Sequence, residues 1–175
     1  MKRLLIGALV GGIILFIWQF ISWAAINFHR DMQKHTPNQD KILEFLNENL
    51  EEGYYFLPMA APGEDEQKVM QNAMGKPWAQ VYFHKEMTNN MAASMSRGIV
   101  IDFLTVLLVC WILIKLNLPD FKDIFLSCIA IGLIGYFSIP YLNSIWFETP
   151  TIPYLIDATA GWGLVGLWLG WWLRK

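Results

Sequence analysis

Four long, nearly uncharged apolar blocks constrain this chain more than any other feature. The first runs from Leu4 to about Asn27 (residues 4–27). The second spans about 98–116, with Asp102 as its only charge before Lys115. The third spans about 124–142 and the fourth about 154–173. A helix rises about 1.5 Å per residue, so about twenty apolar residues cover the hydrocarbon core of a bilayer. Hydrophobic residues make up 55% of the chain and charged residues 16%, against about 25% charged in soluble domains. Because the apolar residues are blocked rather than spread, the sequence predicts an integral membrane protein: an all-α, four-transmembrane-helix bundle, with residues 28–97 forming a small extracytoplasmic α/β module between helices 1 and 2. Residues 98–175 then carry helices 2 to 4.

The first block has a signal-peptide alternative. Lys2 and Arg3 make a basic start, and Ser22-Trp23-Ala24 loosely resembles a cleavage site. Its apolar core is longer than a usual signal core of about 7–15 residues, so an uncleaved helix is expected.

Orientation follows from Lys and Arg near the helix ends. Lys2 and Arg3 precede the first helix, Lys115 and Lys122 bracket the 2–3 turn, and Arg174 and Lys175 follow the fourth. The short 3–4 loop has neither residue. Both termini are therefore expected in the cytoplasm of a cell (inner) membrane, multi-pass, with 28–97 outside. Trp18, Trp23 and Trp146 then fall near the outer interface, and Trp168, Trp171 and Trp172 near the inner one. Pro140 is expected to kink or end helix 3, and Pro150 with Pro153 to keep the next connection extended.

The outer loop carries folding signals. Thr36-Pro37 predicts a helix start, Ile42, Leu43, Leu46 and Leu50 follow at helical spacing, and Gly53 is expected to close that helix. Tyr54–Leu57 and Trp78–His84 read as strands, Glu64–Met74 as a second helix, and Met87–Met95 as a helix leading into the membrane. The expected order is helix–strand–helix–strand around a thin core.

Two constellations are candidates for chemistry. Asp102 and Asp157 sit at similar depths below the outer helix ends, and Gln19 and Asn143 fall at comparable levels, with Ser22, Thr105 and Ser144 nearby. An ionisable residue inside a membrane is costly and marks a candidate site for a proton, cation or ligand. The alternative is that both aspartates are hydrated at the headgroup boundary or paired with Arg97 or Arg30. The second constellation is the loop's His29, Met32, His35, His84, Met87, Met91 and Met95. Thioether and imidazole suit copper, while methionine equally fills irregular apolar gaps. No cofactor is expected, with copper at this set as the alternative.

Gly7 and Gly11, and Gly166 and Gly170, form GxxxG pairs that let helices approach closely, within one bundle or across a homo-oligomer. Cys110 and Cys128 lie in apolar blocks, where thiols are inert. The net charge of −2 and the lack of a basic patch exclude a nucleic-acid partner. No nucleophile elbow, P-loop, zincin or Rossmann motif is present, and no histidine lies inside a predicted span.

The segments Gln19-Phe20-Ile21-Ser22-Trp23, Asn38-Gln39-Asp40-Lys41-Ile42-Leu43-Glu44-Phe45-Leu46 and Tyr55-Phe56-Leu57-Pro58 resemble those of a small, uncharacterised family of bacterial four-helix inner-membrane proteins. The resemblance covers most of the chain and implies the same architecture and a bacterial inner membrane. It brings no established activity. The expected function is a non-enzymatic accessory or scaffolding subunit whose outer module binds a protein partner. The alternative is a small oligomeric transporter or channel using the outward-facing polar cluster.

Overall fold

The computed structural model describes residues 1–88, 90–118 and 120–174. In chain order its elements are α1 (Lys2–Phe20), α2 (Gln39–Asn49), β1 (Gly53–Leu57), α3 (Glu66–Ala73), β2 (Ala79–Phe83), α4 (Met91–Leu116), α5 (Phe121–Tyr136), α6 (Leu142–Phe147) and α7 (Ile152–Leu173). They form two compact units, Met1–Lys34 with Asn90–Lys175, and His35–Asn89.

The first unit holds four helices long and apolar enough to cross a membrane: Lys2–Ala25, Met91–Leu116, Phe121–Phe147 and Ile152–Leu173. Their starts differ from the sequence expectation in one instructive place. The helix expected over 87–95 and the span expected from about 98 form one continuous helix, α4, which begins at Met91 and is capped by the Asn90 side chain, whose Oδ1 accepts from Ala93 N at 3.2 Å. The cap satisfies a backbone donor that would otherwise be orphaned. Met87 lies before this helix, so only Met91 and Met95 of the expected methionine stripe share it.

Pro140 does not end the third span. A π-turn, Phe137–Tyr141, contains it, and the chain stays helical through α6 to Phe147. Proline lacks an N–H and crowds the carbonyl four residues back; the wider π-turn accommodates both defects. The connection that follows is correspondingly short. Glu148 closes α6 with φ 52°, and Pro153 sits in the first turn of α7, where its missing N–H has no intrahelical role.

Within the bundle α1 packs on both α4 and α7, and α7 packs on α5, while α4 and α5 touch sparingly although they are consecutive. Glycine sets these approaches. A Cβ on Gly12 would lie 2.9 Å from Phe103 Cα, and one on Gly132 would lie 2.5 Å from the Ala158 carbonyl oxygen. The GxxxG residues are used inside the chain. Gly7 and Gly11 face α4 and α7, and Gly166 and Gly170 face α5. The buried apolar core runs through Ala8, Val106, Cys110, Cys128, Val165 and Leu169.

Both chain ends lie at one end of the bundle. The Arg3 guanidinium donates to the Trp172 carbonyl at 3.1 Å and to the Arg174 carbonyl at 2.7 Å. Trp172 Nε1 returns a hydrogen bond to Arg3 O at 2.8 Å, and Trp168 Nε1 donates to Gly7 O at 3.0 Å. Indole donors therefore lock α7 onto α1 through its backbone.

The second unit follows the expected order, α2–β1–α3–β2. The strands pair antiparallel, with Gly53 opposite Phe83 and Leu57 opposite Ala79. Tyr54 and Tyr82 stack across the pair with centroids 4.6 Å apart, the arrangement that makes cross-strand aromatics favourable. Beside the strand pair, Lys85 Nζ donates to Glu51 Oε2 at 2.5 Å, and this hydrogen bond holds the Lys85 ammonium above the usual lysine pKa.

Two helix boundaries differ from expectation. α2 begins at Gln39, because Thr36 Oγ1 accepts from Asn38 N and shapes the turn before the helix instead of capping it. It ends at Asn49, with Leu50 already extended, so Gly53 opens β1 rather than closing α2. In α3 the acidic run supplies a cap: Asp65 Oδ1 accepts from Gln67 N at 3.0 Å and Lys68 N at 3.4 Å. Gly75, at φ 75°, follows the helix in the left-handed conformation that glycine adopts without strain.

Candidate functional site

The end of α1 is built to return the chain onto the bundle. Its last turn, Ile21–Ala25, is π-helical, with Ile26 N donating to Ile21 O at 2.9 Å. Asn27 takes φ 57°, a left-handed conformation asparagine tolerates better than most residues. Phe28 N then closes the turn on Ser22 O at 3.1 Å. The reversal sets the His29 ring flat on Trp23, with centroids 3.8 Å apart and planes 4° apart. Tyr154 of α7 meets the same ring edge-on at 5.2 Å.

His29 is 2% exposed and belongs to the bundle, not to the loop unit. Its Nε2–H donates to Asp157 Oδ2 at 2.8 Å. Asp157 Oδ1 accepts from Trp18 Nε1 at 3.1 Å and from Ser22 Oγ at 2.5 Å. Three donors thus converge on one carboxylate of α7, all from α1 and the turn after it. Such convergence offsets the cost of holding a charge away from water.

Asp102 of α4 is treated differently. It is 5% exposed, and Oδ1 accepts from Gln19 Nε2 at 3.0 Å. Its Oδ2 is buried with no hydrogen-bond partner among the described residues. Among the described residues neither aspartate takes the alternative pairing with Arg97 or Arg30. Asp157 pairs with His29 instead, and Asp102 has the neutral amide of Gln19.

Asp102, Asp157 and Gln19 line one recess of about 400 Å³ between α1, α4 and α7, with Trp18, Trp23 and Trp162 in its walls. Thr105 also lines it, its hydroxyl donating to Ile101 O at 2.8 Å. Asn143 does not join the group. It sits exposed on α6, whereas the recess is lined from α1 and the turn after it, α4 and α7. Ser144, on the same helix, bonds back to Tyr141 O.

The His and Met set weighed as a copper alternative is divided between the two units. His29 is committed to Asp157, and His35 and His84 are exposed in the second unit. Met91 and Met95 are exposed on α4, and Met32 closes the turn after His29. Among the described residues no group of three or more His, Cys, Asp or Glu side chains comes together to hold a metal ion.

His29 as the partner of Asp157 is the contact that sequence reasoning missed. The signal was local: an asparagine just past an apolar helix, followed two residues later by a histidine, fits a chain reversal that lays the histidine back on the helix it has left. No protein-family model, curated protein or solved structure matches the chain.

Proposed function

We propose that this is a multi-pass membrane protein acting as a non-enzymatic accessory or scaffolding subunit, whose module outside the bundle binds a protein partner. The observation that carries this reading is the thinness of the module. Among its described residues only Phe83 is buried, at 5% exposure. Leu43 and Phe45 on α2, Tyr54 and Tyr82 on the strands, and Met70 and Met74 around α3 remain exposed. A unit with so little interior gains stability when a partner covers such side chains.

Charge favours protein over lipid as that cover. Residues 35–88 carry nine acidic against four basic side chains. An acidic surface is repelled by anionic headgroups, whereas a protein can offer basic groups around an apolar centre. In the proposed topology both termini are cytoplasmic and residues 28–97 extracytoplasmic in a bacterial inner membrane, as the Lys and Arg distribution and the family resemblance imply. The Arg3 contacts with the end of α7 fit an even number of crossings.

The transport alternative draws less support. The buried polar side chains among the described residues, Ser22, His29 and Asp102, all lie at one end, and the core beyond them is apolar.

The test is native mass spectrometry of complexes released from lipid nanodiscs without crosslinker. A reproducible second polypeptide, lost when Leu43 and Phe45 are both changed to lysine, is the expected result. A monomer or homo-oligomer alone overturns the reading.

A further inference from the structure

We infer that the recess between α1, α4 and α7 binds an ammonium group, with Asp102 as its counter-charge. The two aspartates in the recess differ in a way that assigns their work. Asp157 is occupied by three donors, so it organises the wall. Asp102 has one donor and one buried oxygen without a partner. A carboxylate in that state is costly unless a cation or a proton joins it, and the terminal torsion of an aspartate is soft enough for the carboxylate to turn toward a ligand with the flexible Gln19 amide following it.

The walls select the class of cation. A volume of about 400 Å³ is more than ten times the roughly 30 Å³ share of one water and falls in the range of small-molecule sites. Calcium needs six to eight oxygen ligands; of the six side-chain oxygens on Asp102, Asp157, Gln19 and Thr105, three already accept hydrogen bonds, which leaves too few. It does offer three indoles, Trp18, Trp23 and Trp162, beside the carboxylate. Indoles beside an acidic group are the chemistry that receives primary and quaternary ammonium ions; here one face of Trp23 is taken by His29 and the Trp18 N–H by Asp157. Such a group comes either from a soluble amine or from an aminolipid headgroup.

The full-length protein in maltoside micelles is titrated with ethanolamine hydrochloride and with tetramethylammonium chloride, against sodium chloride at equal ionic strength, following thermal unfolding. A saturable rise in Tm of several degrees, present for an ammonium salt and absent for sodium, is expected, and Asp102→Asn should abolish it. Lipid retention is read in parallel by native mass spectrometry from nanodiscs of phosphatidylethanolamine and phosphatidylglycerol. Selective retention of phosphatidylethanolamine, displaced by ethanolamine, assigns an aminolipid; saturation by the free amine without lipid retention assigns a soluble ligand. An equal response to sodium, or no saturable response in the wild-type protein with either readout, overturns the proposal even if the Asp102→Asn variant does not fold. Retained saturation in a folded Asp102→Asn protein overturns it as well.

Discussion

His29 and Asp157 are 128 positions apart in sequence, yet Nε2 lies 2.8 Å from Oδ2. The contact ties the turn after α1 to α7. His29 is 2% exposed, with Trp23 stacked on its ring and Tyr154 in edge contact with it. His29→Ala therefore removes a stacked ring and one of three donors to a carboxylate that is 20% exposed. The expected loss is about 2–3 kcal/mol, at the lower end of what breaking a buried pair costs. Asp157→Asn is milder, about 1 kcal/mol, because the amide oxygen still accepts from Trp18 and Ser22. Unfolding in mixed detergent micelles ranks the two; a larger loss for Asp157→Asn would contradict this division.

Glycine contacts give a sharper contrast. Gly12→Ala drives a methyl to 2.9 Å from backbone Cα of Phe103, and Gly132→Ala drives one to 2.5 Å from Ala158 O. Backbone cannot swing aside, so α1 must separate from α4, or α5 from α7, costing about 1–3 kcal/mol or more. Gly135, three residues along the same helix, has nothing within 4 Å of its Cβ position. Gly135→Ala should be neutral or stabilising by up to about 1 kcal/mol through helix propensity. Equal effects at Gly132 and Gly135 in a melting comparison would show that the α5–α7 approach is looser than described.

Much of this fold was legible in the sequence because hydrophobic length and periodicity are local signals. The four spans, both strands and the two module helices all follow from patterns within about twenty residues. The misses arise where one local rule competes with another. Pro140 reads as a helix kink or end, but a π-turn absorbs it and the span runs on to Phe147. Gly53 reads as a helix stop, but it pairs with Phe83. Depth counting brought Asp102, Asp157 and Gln19 to one level, and they share a recess. It could not reveal that His29 folds back, since that depends on the conformation of one residue, Asn27.

The Asp65 cap is the main device holding the start of α3. Its Oδ1 serves two backbone donors, Gln67 and Lys68, and no buried side chain of that helix compensates. Asp65→Ala should cost about 1 kcal/mol locally. The loss should be confined to α3, so hydrogen exchange at Gln67 and Lys68 accelerates several-fold while β1 and β2 are unchanged. Acceleration spreading to both strands would mean the module unfolds as one cooperative piece.

Cys110 and Cys128 provide an internal reporter of the bundle. Both are free and fully buried, in α4 and α5, two helices that touch only sparingly. Only the thiolate reacts readily, and apolar surroundings keep a thiol protonated and shielded. In the intact protein a soluble maleimide should therefore label neither residue over hours, and both should label together once the helices open. Because Cys110 Sγ would lie 3.2 Å from a Cβ on Gly7, Gly7→Ala pushes on that sulfur from α1. The variant should label Cys110 faster than Cys128, as read by peptide mass spectrometry. Rapid labelling of Cys110 in the unmodified protein would mean that α4 opens from α1 on its own, and that the buried core is not closed at this level.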